Sequence, residues 1–356
     1  MSTLSVDVPV LSRPKPAVAV VLTPELSAAR QARNQTLDAA RAIAACALVW
    51  IHTAQSSLSR FHVLGRFGTS FFVLAAVFFL FNRLGSSPPP PFGTYALKRF
   101  RRLYIPFLAW SLIYLLIRDL KRYFVHEPLL DVPFARLLAG TSMQFWFLPF
   151  ILIATLACFP LARRVQRMGN AKLLLVPFAL AAGALVAFTP RPLISNDIIA
   201  DYFLHSIWIF IPSVFFAIGL AILYSYLPSK IRGSPFLALA GFLLTASCIF
   251  SLWRLRNSGQ PLPALPRNLA GVGWLMVALV PHRGRLVRFI APLGQYSYGI
   301  FLVHPLFVSS LQSVASALHI HAAGWLDIVV VAIAYPASAL LTATLRSQRW
   351  TRWLVP

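Results

Sequence analysis

Acidic side chains are almost missing from this chain. Its 356 residues hold 9 Asp and Glu against 32 Lys and Arg, and only 12% of residues are charged. Soluble domains carry about 25% charged residues, so a soluble globular protein is excluded. Cysteine is scarce too. Cys46, Cys158 and Cys248 each sit within an apolar run. Three cysteines cannot pair completely, and no CxxC or HExxH pattern is present, so neither a disulfide framework nor a metal site is expected. Small buried packing residues are the expected role of the three. The chain also lacks a serine nucleophile elbow, a P-loop and a Gly-rich dinucleotide fingerprint. That favours direct transfer assisted by a base over a covalent mechanism. A secretory signal is not evident: Arg13 and Lys15 precede AVAVVL, but this run is short and meets Pro24 and Glu25.

What is present is apolar sequence. Hydrophobic residues make up 58% of the chain, and the mean hydropathy is +0.72. The expected fold is all-α, a polytopic membrane helix bundle of about ten transmembrane helices of roughly 20 residues each. The expected spans are 37–56, 67–84, 103–117, 142–161, 172–188, 204–227, 235–253, 269–280, 290–311 and 325–345, the eighth being short and weak. Residues 1–32 are expected to be a flexible tail, 33–346 the transmembrane domain and 347–356 a short C-terminal tail. No fused domain is expected after the last span. Between the second and third spans, GSSPPPP (85–91) is expected to be a stiff extended connector, because consecutive prolines cannot continue a helix.

The net charge of +23 does not point to nucleic acid, since the basic residues are scattered between apolar spans. They are topology signals and contacts for anionic lipid or phosphate. With ten spans, the loops on the side of the termini carry roughly twice as many Lys and Arg as those opposite, which makes that side cytoplasmic. The acids Asp119, Glu127, Asp131, Asp197, Asp201 and Asp327 fall on the other side.

The stretch RNQTLDAARAIAACALVWIHTAQ (33–55) stands out. It is long enough to cross a bilayer, yet carries Asp38, Arg41 and His52. Ionisable groups within a span are costly and mark functional sites by default. On a helix these three fall within about 60° of one another, with Arg41 and His52 nearly in line and about 16 Å apart along the axis. Such a stripe must face protein or water. The competing reading is interfacial, with Arg41 extending to the headgroups. Asp38 and Arg41, three residues apart, can pair. His52, with an ordinary imidazole, can serve as general base.

Lys98, Arg99, Arg101 and Arg102 in LKRFRRLY form the densest basic cluster. They suit either a phosphorylated ligand held by charge-assisted hydrogen bonds or anionic lipid. In GQYSYGIFLVHPLF (294–307), Tyr298 and His304 are six residues apart, on different faces, and a site role stands beside an interfacial Tyr and a satisfied His. QFWF (144–147), with Trp146, can line a site or belong to an aromatic belt. His205, Trp208, His319 and His321 suggest nothing beyond interfacial or loop positions.

Taken together, these stretches resemble the acyltransferase 3 family of multi-span membrane acyltransferases. LDAARAIAACALVWIH contains its Arg-x10-His signature, as Arg41 and His52. GTSFFVLAAVFFLF resembles the Phe-rich second span, YALKRFRRLYIPF the basic start of the third, FWFLPF a recurring Trp-Phe-Leu element, and GQYSYGIFLVHPLF the late Ser-Tyr-Gly…Leu-x-His stretch. The likeness covers about 37–345. One departure is Ala75-Ala76, where the family usually has Ser-Gly. The resemblance implies transfer of an acyl group, often acetyl, from a cytoplasmic acyl-CoA donor. The acceptor it implies is a hydroxyl on a carbohydrate or glycolipid at the bacterial inner membrane. It implies Arg41 and His52 as the essential pair, and Arg99, Arg101 and Arg102 as donor-phosphate contacts. Two alternatives stand beside it: a transporter or flippase of an anionic or sugar-linked solute, and an acyltransferase acting on a small hydrophobic metabolite.

Overall fold

In the computed structural model, described residues are 24–53, 57–86, 89–128, 130, 137–138, 140–190, 198–320 and 325–356. Asp131, Asp197 and His321 lie outside them, and Asp201 lies on a helix without a described side chain. Every regular element among the described residues is helical. Twelve helices carry labels here: α1 (Pro24–Ile51), α2 (Phe67–Ser86), α3 (Phe92–Arg99), α4 (Ile105–Phe124), α5 (Phe147–Arg167), α6 (Leu175–Phe188), α7 (Ile198–Tyr226), α8 (Pro235–Asn257), α9 (Ala264–Leu279), α10 (Arg285–Gly294), α11 (Ser297–Ala317) and α12 (Leu326–Ser347). Among the described residues, 8 helical segments are long and apolar enough to cross a membrane. Five labelled helices carry a proline well inside them: Pro160, Pro212, Pro292, Pro305 and Pro336. Within a bundle, neighbouring groups can satisfy the backbone that a proline frees.

Two expected spans fall outside those eight, for different reasons. α1 is too polar on average, but its Ala-rich face packs inside the protein: Ala39, Ala40, Ala42, Ala44 and Ala45 are buried. Small side chains let neighbouring backbones approach closely. Trp274 Nε1 donates to the Ala40 carbonyl at 3.1 Å, and Tyr335 Oη donates to that of Ala42 at 3.0 Å. α9 is short, yet it runs the depth of the bundle. Near its start, the Arg267 carbonyl accepts from Ser70 Oγ at 3.0 Å, and just past its end the His282 N–H donates to Thr36 Oγ1 at 2.8 Å. Ser70 lies at the start of α2 and Thr36 in α1, so α9 is antiparallel to α1.

Other boundaries differ from expectation. α1 begins at Pro24, within the stretch expected to be a tail. Glu, Leu, Ala, Gln and Arg there are strong helix formers, and proline is tolerated in a first turn. The third segment is one continuous helical run from Phe92 to Phe124. It includes a π-helical turn, Phe100–Tyr104, and continues through Arg118, Asp119, Lys121 and Arg122, expected to be loop. Pro91, with φ −54 and ψ 145, has the extended polyproline geometry expected of the connector. The expected span 290–311 is broken: the chain turns at Gln295 and Tyr296 between α10 and α11. α10 is amphipathic, with Leu286 and Phe289 exposed and Ala291 and Gly294 buried.

α2 is the most enclosed helix, packed on α1, α5, α7 and α9. Phe71, Leu74, Val77 and Phe78 lie fully buried along it. α6 and α8 turn large apolar residues such as Phe178, Phe236 and Phe242 outward, the surface expected where lipid is the solvent. The last residues fold back onto the bundle: Trp110 Nε1 donates to the Leu354 carbonyl at 3.1 Å, and Val355 is buried.

Candidate active site

The α1 stripe faces protein. At one end, Arg41 Nη1 contacts Asp38 Oδ1 at 3.2 Å, with both side chains about one-third exposed. They border a cavity of about 470 Å³. Arg99, Arg102 and Arg346 converge on it from α3, the π-turn and α12, so its mouth is strongly basic. Arg99 and Arg102 are three residues apart and share a face. Arg99 is braced on Tyr95, its Nε donating to the hydroxyl at 3.1 Å. Tyr298 also lines the cavity, and its hydroxyl donates to the Leu103 carbonyl at 2.7 Å. Ala75 and Ala76 supply part of the α2 wall, with Leu48, Phe147 and Phe301 among its apolar lining.

Lys98 and Arg101 are exposed and do not border this cavity. Trp146 does not line it either. It is buried against Phe210, the rings stacked 5.5 Å apart, and its neighbour Phe147 reaches the cavity instead. The residues of the basic wall invite a direct test. Arg102→Ala is expected to weaken binding of an anionic ligand about 10-fold or more, the loss of one charge-assisted hydrogen bond. Arg101→Ala is expected to leave it within about 2-fold, since it lies off the cavity. Equal effects from the two substitutions in titrations of the purified protein with such a ligand count against this assignment.

His52 sits one residue past α1, its N–H donating to the Val49 carbonyl at 3.1 Å. Its ring lies 5.3 Å from that of His304 on α11, tilted by 32°. Phe301 connects the two ends: it lines the cavity and its ring lies 5.9 Å from His304. Leu48, about one turn before His52, is the last α1 residue on the cavity wall. The basic cavity and the imidazole pair thus lie at successive levels along α1, with Leu48 and Phe301 between them.

A second cluster, unmarked by the sequence motifs, flanks His52. His62 Nε2 lies 3.2 Å from Thr53 Oγ1, which itself donates to the Trp50 carbonyl at 2.9 Å. Trp50 stacks on His62 at 4.9 Å and donates from Nε1 to the Phe61 carbonyl at 3.0 Å. Asp327 Oδ2 is 3.6 Å from His62 Nε2, with both side chains buried. Residues on either side of His52 are therefore clasped to the segment Ser57–Gly65. An acid in the first turn of an apolar helix is the signal by which Asp327 was findable, since intramembrane charges mark partners; counting it as a loop charge hid it. His62→Leu is expected to lower the thermal midpoint in detergent, because it removes the ion-pair partner that His62 gives the buried Asp327 carboxylate. An unchanged midpoint is the contrary result. Among the described residues, no group of His, Cys, Asp and Glu has the makings of a metal site, and Cys46, Cys158 and Cys248 are free.

These helices define a polytopic helical membrane protein with an internal basic cavity that ends near an imidazole pair. Residues 34–346 match the acyltransferase domain family acyltransferase 3, and the chain belongs to that family. It is a membrane acyltransferase, moving acyl groups other than aminoacyl. No curated protein and no solved structure matches it.

Proposed function

We propose that this enzyme moves an acyl group, acetyl being the favoured case, from cytoplasmic acyl-CoA to a hydroxyl of an envelope or exported glycan. Both termini then face the cytoplasm of a bacterial cell, and the chain lies in its inner membrane. One observation carries the proposal: the basic cavity follows α1 to Leu48, about one turn short of His52, which lies beside His304. Arg99, Arg102 and Arg346 suit the phosphates of a coenzyme A donor, for which several guanidinium forks are well matched. Its pantetheine arm extends along the apolar wall past Leu48 and Phe301. The thioester then arrives at His52, about 16 Å from Arg41 along the axis.

His52 takes the proton of the acceptor hydroxyl as general base. Arg41, oriented by Asp38, steadies the donor or the charge that develops on it. The excess of Lys and Arg in loops on the cavity side supports a cytoplasmic donor. The test is thiol release from acetyl-CoA by purified protein given an extract of exported glycans, with mass spectrometry of the acylated product. Activity that collapses in His52→Ala and falls clearly in Arg41→Ala supports the proposal, and wild-type turnover in both overturns it.

A further inference from the structure

His304 lies wholly buried inside α11. Its Nδ1 is 3.1 Å from the Ile300 carbonyl. A carbonyl only accepts, so Nδ1 carries the ring proton and Nε2 keeps a bare lone pair. Among the described residues, that Nε2 has no hydrogen-bond partner. Buried acceptors left unsatisfied are rare, and each needs a reason. Packing alone does not supply one, since an apolar side chain of similar size avoids the penalty.

The helix is pinned around this residue. Pro305 follows it and has no N–H to donate. Tyr114 reaches in from α4: its hydroxyl donates to the Leu302 carbonyl at 2.9 Å and accepts from the Leu306 N–H at 3.2 Å. The imidazole is therefore held beside His52, with ring centroids 5.3 Å apart and the planes tilted by 32°. Two imidazoles sharing one proton have centroids about 5 Å apart, an N···N distance of about 3 Å plus two ring half-widths; the two rings lie at that separation with no hydrogen bond between them in this resting arrangement.

We propose that His304 is the proton-sharing partner of His52, its Nε2 accepting the N–H of the His52 imidazolium formed during acyl transfer. This rests on His52 being the base, as argued above. The step balances without any further reagent. The acceptor O–H bond breaks and its proton binds His52. The oxygen bonds to the acyl carbon, the carbon–sulfur bond breaks, and the departing thiolate recovers the proton from the imidazole pair. A buried cation without an acceptor is costly, and the His304 lone pair meets that need at the moment the charge appears. It acts through His52 and is a positioning residue in this sense.

Three variants of the full-length protein test this in detergent, with acetyl-CoA and the exported-glycan extract as probes. His304→Phe keeps a ring and removes the acceptor, and is expected to lower kcat about 100-fold with the KM for acetyl-CoA within about 2-fold. His304→Gln keeps an acceptor and is expected to retain at least about a tenth of wild-type kcat. Added imidazole is expected to restore turnover to His304→Ala. Wild-type kcat in His304→Phe overturns the inference. So does an equal fall in the Phe and Gln variants without imidazole rescue, which is the pattern of a purely structural residue. If the Phe variant does not fold, the Gln variant and the rescue of the Ala variant decide. An inactive His52→Ala beside a fully active His304→Phe sinks this inference alone; a fully active His52→Ala sinks the base assignment beneath it.

Discussion

His52→Ala is expected to lower acyl transfer by about 10²- to 10⁴-fold, the usual worth of a positioned general base. The position of the ring makes the effect specific. His52 ends α1 with its N–H on the Val49 carbonyl, Thr53 beside it meets His62, and the ring rests against His304. Removing the imidazole leaves these backbone anchors in place, so donor binding at the basic mouth should survive. The expected pattern is a collapse of kcat with little change in the KM for acetyl-CoA. Arg41 is expected to behave differently. Arg41→Ala should lower kcat/KM by about 10- to 100-fold, the range of one or two lost charge-assisted hydrogen bonds. Arg41→Lys should recover little of it, since an ammonium lacks the planar fork. Steady-state kinetics of the two variants checks this split. A His52 variant whose only defect is a raised KM removes the case for His52 as the base.

Gly294→Val is expected to have the largest effect on stability. Gly294 ends α10 where that helix presses on α1. A Cβ there overlaps the Asp38 carbonyl and comes within 2.7 Å of Asp38 Cα. Both are backbone atoms, so no rotamer relieves the contact; one helix must move. Overpacking costs about 1–3 kcal/mol where side chains can yield, and a backbone contact belongs at the top of that range or beyond. Because Asp38 holds Arg41, the shift also reaches the cavity, and activity should fall together with the thermal midpoint. Gly294→Ala should show the same trend. Gly284→Ala is the control, because a Cβ at Gly284 meets nothing within 4 Å. Thermal unfolding in detergent distinguishes them, and a Gly294→Ala midpoint equal to that of Gly284→Ala contradicts the expectation.

Much of this molecule was legible in the amino-acid order because membrane segments answer to a local rule. A run of apolar residues long enough to cross the hydrocarbon is visible without knowing its neighbours. The polar stripe on 33–55 was visible for the same reason, since charge in such a run is anomalous wherever it packs. Span limits were less legible. The break at Gln295 and Tyr296 follows from α10 lying amphipathic against α1, and an apolar stretch does not announce that partner. The length of Phe92–Phe124 reflects helix formers beyond the apolar stretch, which hydropathy does not weigh.

The amino-acid order by itself determined that the chain is an all-α membrane bundle, and it placed Asp38, Arg41 and His52 on one face of its first helix. Both follow from the period of the helix and from the cost of leaving polar groups in lipid. Only the tertiary structure decided which basic residues share a cavity. Arg99, Arg102 and Arg346 meet there while Lys98 and Arg101 lie off it, because the packing of the third segment selects which face lines the cavity and α12 returns from far along the chain. It alone brought His304 to His52 and Asp327 to His62. Such encounters depend on how helices distant in sequence pack, and the geometry of that packing is written in no single segment.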